Sequence, residues 1–97
     1  MLTQIHIYTI NRDALNEFAA EWRDKIKPLR MKFGFQVAGG WTVKATNQFV
    51  WLLSYDNAEN WETQNQAFYQ SAERRALTPD PARHIARVEQ YFVDSVA

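Results

Sequence analysis

Apolar and polar residues alternate at the start of the chain, over residues 2–10. Ile5 and Ile7 lie on one side of this segment, and His6 and Tyr8 lie on the other. A period of two that is rich in isoleucine, threonine and tyrosine is typical of a β-strand. The pattern predicts a first strand whose isoleucines face the helices, with His6 and Tyr8 on the opposite side.

The next apolar residues recur at steps of three and four, which is the spacing of one face of a helix. They are Leu15, Phe18, Trp22, Ile26, Leu29 and Phe33. Pro28 falls inside this stripe, where it removes one backbone hydrogen bond and clashes with a carbonyl one turn earlier. We therefore expect a long helix that is kinked or broken at Pro28 and that ends with Gly34 in the C′ position.

Two strands joined by a short polar connection follow, at residues 35–44 and 49–55, and this spacing predicts a hairpin. Paired glycines at 39–40 interrupt the first of these strands and predict a bulge or a close approach of neighbouring atoms. Because a bulge changes the facing of every later residue, the side on which Trp41 lies stays open. The second strand is apolar on both faces.

A second helix and a fourth strand complete the chain. Asp56 and Glu59 have the spacing of a capping box, and the helix should fade near Leu77, before a Thr-Pro-Asp-Pro loop. A strand is expected from Ile85 to Val96. Its alternation places Val88, Gln90 and Phe92 on one face and Arg87, Glu89, Tyr91 and Val93 on the other.

The order strand, helix, strand, strand, helix, strand predicts a single α+β domain over residues 1–97. This is the ferredoxin-like βαββαβ fold, in which a four-stranded antiparallel sheet carries two helices on one face. The other face of such a sheet should be polar in a monomer. Here the third strand is apolar on both sides, and Tyr91 and Val93 add to the uncovered face. We expect a second copy to cover this face in a homodimer.

Short motifs recur along the chain in a recognisable order and spacing. They are Tyr8-Thr9-Ile10, Leu15-Asn16-Glu17-Phe18, Ile26-Lys27-Pro28-Leu29, Phe33-Gly34-Phe35, Gly40-Trp41-Thr42-Val43, Asn47-Gln48-Phe49-Val50, Leu52-Leu53-Ser54-Tyr55-Asp56 and the late Glu89. Over nearly the whole chain they resemble the NIPSNAP family of the dimeric α/β-barrel superfamily. The resemblance implies two sheets packed into a dimeric barrel, and it makes Pro28 a family feature. It implies no settled activity, since the superfamily includes enzymes and non-enzymatic ligand binders.

One position departs from the family pattern. Family members often carry a histidine in the third strand where this chain has Trp51. A role assigned to that histidine therefore does not transfer to this protein.

Composition excludes several classes of function. The 97 residues include 11 basic residues, 11 acidic residues and no cysteine. A net charge of zero disfavours nucleic acid and anionic membranes as partners, and the sequence has neither a membrane-span pattern nor a signal-peptide pattern. We expect a cytoplasmic protein. With no thiols, and with its two histidines far apart in sequence, no metal site and no cofactor are predicted.

His6 is the main candidate for catalysis. It lies on the central strand, and Glu89 lies on the strand expected beside it. A carboxylate that orients an imidazole is an arrangement typical of general bases. The alternative is a histidine that is hydrogen-bonded at a dimer interface.

Aromatic residues supply candidate walls for a small-molecule site, because such sites combine rings with a few polar groups. The predicted substrate-binding residues are Tyr8, Trp51, Tyr55, Arg87 and Tyr91. The same rings would also suit a dimer interface. A group of basic residues between Arg74 and Arg87 is either a solvated surface or a gate for anions.

Two functions remain open at this point. One is a metal-free enzyme that uses His6 and Glu89 on an aromatic or polyketide-like compound in the barrel lumen. The other is a non-catalytic small-ligand-binding or interaction module whose lumen is closed by its own aromatic residues.

Overall fold

The computed structural model describes residues 1–96, which form four strands and four α-helices. The strands are β1 (Leu2–Ile10), β2 (Gln36–Val43), β3 (Gln48–Tyr55) and β4 (Ile85–Val93). The helices are α1 (Leu15–Glu21), α2 (Lys27–Lys32), α3 (Trp61–Gln70) and α4 (Ala72–Arg75). Their order confirms the predicted βαββαβ architecture, and β4 ends three residues earlier than predicted.

The four strands form one antiparallel sheet in the order β2-β3-β1-β4. The first strand is therefore central, as the fold class predicts. Its middle residue, His6, lies opposite Trp51 on β3 and Gln90 on β4. Directly opposed residues share a face of a sheet, so these three side chains lie on the same side.

The sheet has a helix-covered face and an open face. The helix-covered face includes His6, Tyr8, Ile10, Phe49, Trp51 and Leu53, all of which are buried. The open face includes Ile5, Ile7, Val50, Leu52, Trp41 and Tyr91.

The predicted facing of β1 was wrong. Ile5 and Ile7 lie on the open face, whereas His6 and Tyr8 lie beneath the helices. Pairing with β3 is the physical reason, because it places Phe49 and Trp51 beside Tyr8 and His6, and these larger rings fill the space under the helices. Alternation alone shows that two faces differ, not which one the helices cover.

The first helical segment changes its hydrogen bonding before Pro28. A π-helical turn, Trp22–Ile26, separates α1 from α2, and Pro28 lies in the first turn of α2. A wider π turn relieves the missing N–H and the ring clash that Pro28 would impose on a continuous α-helix. The predicted interruption is confirmed, and Gly34 follows the helix with a φ of 88°, as expected of a C′ glycine.

The glycine pair forms both of the predicted features. The register between β2 and β3 shifts between Val37 and Gly39, which is a β-bulge. A Cβ at Gly40 would lie 2.6 Å from the Trp22 ring and 2.7 Å from the Phe49 ring. Trp41 consequently falls on the open face, where half of its surface remains exposed (51%).

The second helix begins differently from the prediction. Asn57 rather than Asp56 provides the cap, because its side chain accepts a hydrogen bond from the Asn60 backbone N–H before α3 starts. Asp56 instead accepts a hydrogen bond from Gln36 on β2. No helix within residues 1–96 is long and apolar enough to cross a membrane.

Candidate functional site

A cavity of about 170 Å³ lies between the helix-covered face and the helices, and we call it the helix–sheet cavity. Its aromatic walls are Tyr8, Phe18, Trp22, Trp51, Phe68 and Tyr69. Its lining also includes two charged residues and one amide residue, Arg30, Arg74 and Gln90. This combination of rings and a few polar groups is typical of small-molecule sites.

Each wall comes from a different part of the fold. Strands β1, β3 and β4 contribute the floor through Tyr8, Trp51 and Gln90. The segment from α1 to α2 contributes one wall, in which Trp22 is the first residue of the π turn and Arg30 lies beyond that turn in α2. The helices α3 and α4 close the other side. The site therefore exists only in the folded chain.

His6 lies behind the cavity. Its Nδ1 atom is 3.1 Å from the Tyr8 hydroxyl and 3.4 Å from Gln90 Nε2. The Trp51 ring lies against its other side, with ring centres 4.4 Å apart. Since the Gln90 amide donates, Nδ1 accepts, and the Tyr8 O–H can donate to the same atom.

The imidazole of His6 is neutral at ordinary pH. Burial, with a smaller contribution from the nearby Arg30 charge, lowers the pKa of His6 to about 3. Burial also raises the pKa of the Tyr8 hydroxyl well above its usual value. The pair is thus held in its neutral, hydrogen-bonded form, which fixes the position of Tyr8 at the cavity floor.

Arg30 is a charged residue in the interior, with only 1% of its surface exposed. Its Nη1 donates a hydrogen bond of 2.8 Å to Asn65, and its guanidinium carbon lies 3.8 Å from the centre of the Phe68 ring. No carboxylate within residues 1–96 forms an ion pair with it. Burial accordingly lowers the pKa of Arg30. A buried charge without a counter-ion costs stability.

Four buried nitrogen atoms in this region have no hydrogen-bond partner within the described chain. They are His6 Nε2, Trp22 Nε1, Arg30 Nε and Trp51 Nε1. Three of the four belong to residues that line the helix–sheet cavity. Buried polar atoms are nearly always paired in folded proteins, so this concentration of unpaired nitrogen atoms makes the cavity the candidate functional site of the described chain.

The structure separates the residues that the sequence grouped as one site. Tyr8 and Trp51 line the helix–sheet cavity, and His6 contacts both of them. Glu89, which was expected to orient His6, lies on the open face, because it pairs with Ile7 and not with His6. The predicted contact between Glu89 and His6 is therefore wrong.

The remaining predicted binding residues also lie outside the cavity. Arg87 and Tyr91 are on the open face, where the Tyr91 hydroxyl donates to Glu89 at 3.1 Å. Tyr55 packs against Phe35 near the other end of the sheet. The alternation of β4 correctly placed Arg87, Glu89 and Tyr91 on one face. That face is the opposite side of the sheet from His6, whereas the same side was expected.

Sequence reasoning missed Arg30. A signal was present, since Arg30 follows Trp22 and Ile26 at steps of four and thus lies on the apolar side of the helix. Lys27 and Lys32 are close by in the sequence, and because basic residues are common near the C-terminal end of a helix, Arg30 does not stand out among them. A cation within an apolar stripe was the informative feature.

A second cluster of titratable groups lies at the surface. Glu17, Glu21 and His84 bring ligand atoms within 4.8 Å of one another. Arg83, however, donates to Glu17 at 3.0 Å and to Glu21 at 2.8 Å, and it holds the pKa of Glu21 below its usual range. This cluster is therefore an ion-pair network that fastens the loop before β4 to α1.

Comparison with known proteins agrees with this architecture. A NIPSNAP domain protein from Burkholderia xenovorans is 21% identical, with a TM-score of 0.85 over 100% of this chain and 96% of the other. A NIPSNAP family protein from Agrobacterium tumefaciens is 13% identical, with a TM-score of 0.83 over 95% and 90%. A putative antibiotic biosynthesis monooxygenase from Nitrosomonas europaea is 13% identical, with a TM-score of 0.70 over 100% of both chains. No match was found among curated protein sequences.

The fold defines an α+β protein of the ferredoxin-like class, with a sheet covered by helices on one face. The pattern of the NIPSNAP family matches residues 3–97. The chain belongs to the NIPSNAP family, as its sequence motifs predicted.

Proposed function

We propose that the chain binds a small organic molecule in the helix–sheet cavity. The observation that carries this proposal is a cavity walled by aromatic rings, three of whose lining residues also have a buried nitrogen atom without a partner in the described chain. Of the two functions that the sequence left open, ligand binding is the one that this geometry supports best. The site differs from the one expected, since it lies under the helices and not on the sheet face that a barrel lumen would use.

The size of the cavity limits the ligand. An apolar cavity of about 150 Å³ accommodates benzene, and the helix–sheet cavity measures about 170 Å³. A molecule with one aromatic ring and one polar group fits this volume. A polyketide-like compound with several fused rings does not fit inside it.

His6 has a positioning role in this proposal. It does not line the cavity, but its Nδ1 is within hydrogen-bond distance of the Tyr8 hydroxyl. A neutral imidazole with a pKa of about 3 accepts a hydrogen bond throughout the physiological range. It thereby holds Tyr8 in place at the floor of the cavity.

Likeness of fold to a putative monooxygenase does not carry a reaction to this chain, because one fold supports many activities. The proposal therefore stops at binding and at the positioning of Tyr8.

Assembly is the second part of the proposal. The open face leaves Trp41, Tyr91 and Val93 exposed at 51%, 54% and 39%, beside the half-buried isoleucines of β1. Contiguous apolar patches of this kind usually mark an interface. A second copy, sheet against sheet, would cover them and leave both helix–sheet cavities free. Light scattering should give twice 11.4 kDa, and a monomer at all concentrations would refute this part.

The test of binding uses the four tryptophans as reporters. Trp22 and Trp51 line the cavity, whereas Trp41 and Trp61 do not. In ¹H–¹⁵N spectra, a screen of one-ring fragments should shift the indole N–H signals of the first pair and leave the second pair unchanged. Shifts confined to Trp41, or no shift with any fragment, would refute the proposal.

A blocking variant makes this test specific. Val88 lies at the cavity wall and is half exposed, so Val88→Trp should fill the entrance and abolish the fragment-induced shifts. The matched control is Val96→Trp, at a fully exposed position that does not line the cavity. It should respond to fragments as the wild type does.

A further inference from the structure

The helix–sheet cavity contains a charge that the protein itself does not neutralise. Arg30 lines the cavity, is 1% exposed and has no carboxylate partner within residues 1–96. Its guanidinium presents five N–H donors. Asn65 accepts one of them, and Nε is buried without an acceptor.

The rings around Arg30 compensate for only part of the missing counter-charge. Phe68, Phe35 and Tyr69 lie 3.8, 4.9 and 5.0 Å from the guanidinium carbon. The two phenylalanine rings stabilise the cation but use none of its N–H donors, whereas a hydrogen bond with Tyr69 acts to raise the pKa of Arg30 against the larger effect of burial. The guanidinium therefore keeps its capacity to form hydrogen bonds with a planar anion.

A second guanidinium increases the positive potential of the same cavity. Arg74 also lines it, and its charge further lowers the pKa of Arg30, behind the larger effect of burial. Arg74 has a carboxylate partner in Asp80 at 3.1 Å, but that carboxylate is largely exposed. Water screens an exposed carboxylate far more than a buried one. The enclosed part of the cavity is thus left with a net positive charge.

From these observations we infer that the ligand is an organic anion, with a carboxylate or enolate group bound by Arg30. The inference rests on the proposed binding function and adds the chemical class of the ligand. A guanidinium recognises a planar carboxylate through two parallel N–H···O bonds. The aromatic walls of the cavity hold the ring of the anion.

The experiment compares benzoate with benzamide, which has nearly the same shape but no charge. Binding is followed through the indole N–H signals of Trp22 and Trp51 at pH 7. Wild-type protein should bind benzoate about tenfold or more tightly than benzamide, because hydrogen bonds between charged groups are about twice as strong as neutral ones. This comparison needs no variant and does not depend on the folding of one.

Variants then assign the preference to Arg30. Arg30→Met should weaken benzoate binding about tenfold or more and leave benzamide binding nearly unchanged. Arg30→Lys should fall between the two, since it keeps the charge but loses the planar pair of donors. The matched control is Arg75→Met, which removes the same charge from an exposed position outside the cavity.

The outcomes separate this inference from the proposed function. Equal binding of benzoate and benzamide, with shifts at Trp22 and Trp51, would overturn the anion inference and leave the binding function standing. A loss of benzoate preference in Arg75→Met as large as in Arg30→Met would overturn the assignment to Arg30. If no fragment of either kind shifts these signals, the binding function fails and the inference fails with it.

Discussion

The two faces of the sheet are both rich in large apolar residues, yet these residues are buried on one face and partly exposed on the other. On the helix-covered face, Phe49, Trp51 and Leu53 are almost completely buried, at 2%, 1% and 0% exposure. On the open face, Trp41 and Tyr91 remain about half exposed. Apolar character alone therefore does not place a residue in the core of a protomer, because there must also be an element to cover it.

The polar residues of the two faces differ in the same way. On the open face, Glu89 has Tyr91 and Arg87 as neighbours, and water reaches these groups. On the helix-covered face, His6 and Arg30 are buried and keep unpaired nitrogen atoms. Exposed polar pairs change the free energy of unfolding little. Buried polar groups without a partner lower it, and they persist at functional sites. This contrast is the reason for proposing the ligand site beneath the helices.

The largest predicted effect contrasts one tryptophan from each face. Trp51→Ala should lower the free energy of unfolding by about 3–5 kcal/mol, because it leaves a large void among buried rings. Trp41→Ala should change protomer stability little and should weaken dimerisation instead. Chemical denaturation and light scattering on both variants check the contrast. Equal losses of unfolding free energy would contradict the assignment of the two faces.

The glycine pair gives a closer comparison, since Gly39 and Gly40 are neighbours on opposite faces. Gly40→Ala should destabilise the protein by about 1–3 kcal/mol, because its Cβ would lie 2.6–2.7 Å from the buried Trp22 and Phe49 rings. Gly39→Ala meets only the Trp41 ring, at 3.0 Å, and this exposed ring can move aside. In thermal unfolding, Gly40→Ala should have a clearly lower melting temperature than Gly39→Ala. The reverse order would show that the rings on the helix-covered face move aside for an added methyl group more easily than their packing indicates.

The smallest predicted effect concerns pH. Because the pKa of His6 falls from 6.5 to about 3 on folding, the unfolded chain binds a proton between these values while the folded chain does not. Unfolding free energy should therefore fall as pH falls below 6.5, by up to about 1.4 kcal/mol per pH unit. Above pH 6.5 this contribution is fully present. The slope just below pH 6.5 reports histidine, because the Glu21 and Glu73 carboxyls, whose pKa values are lowered in the folded chain, add to it only as the unfolded chain approaches their usual pKa of 4.5.

A substitution at each histidine separates the sources of this slope. His6→Gln should flatten it and keep a hydrogen bond to the Tyr8 hydroxyl. His84→Gln, at the surface ion-pair network, is the control and should leave the His6 contribution intact. Urea unfolding at several pH values measures it. An unchanged slope in His6→Gln would show that folding does not lower the pKa of His6.

Several features were predictable because they depend on local chemistry. Gly34 ends the first helical segment since a positive φ favours glycine. Gly39 and Gly40 predicted the bulge in β2. The alternation of β4 correctly placed Glu89 and Tyr91 on the same face. Family membership followed from motif order, and the profile match over residues 3–97 confirms it.

The site was less predictable because it depends on contacts between distant segments. His6 and Glu89 looked like partners since their strands are adjacent, but a one-residue difference in parity places them on opposite faces. Arg30 joined the site only because α2 packs it among the rings of Phe68 and Phe35. No local sequence pattern indicates which basic residue will be left without a carboxylate partner once the chain has folded.

The sequence by itself determined the order of the elements, the fold class, the family and the presence of two apolar sheet faces, since these follow from periodicity, turn residues and motif spacing. Tertiary structure decided which face the helices cover. An alternating strand can turn either of its two faces to the helices, and strand pairing together with the volume of the aromatic rings selects one of them. Tertiary structure also decided where the unpaired charge lies. Arg30 is one basic residue among 11 in the sequence, and only the packing of helices on the sheet removes it from water without giving it a counter-ion.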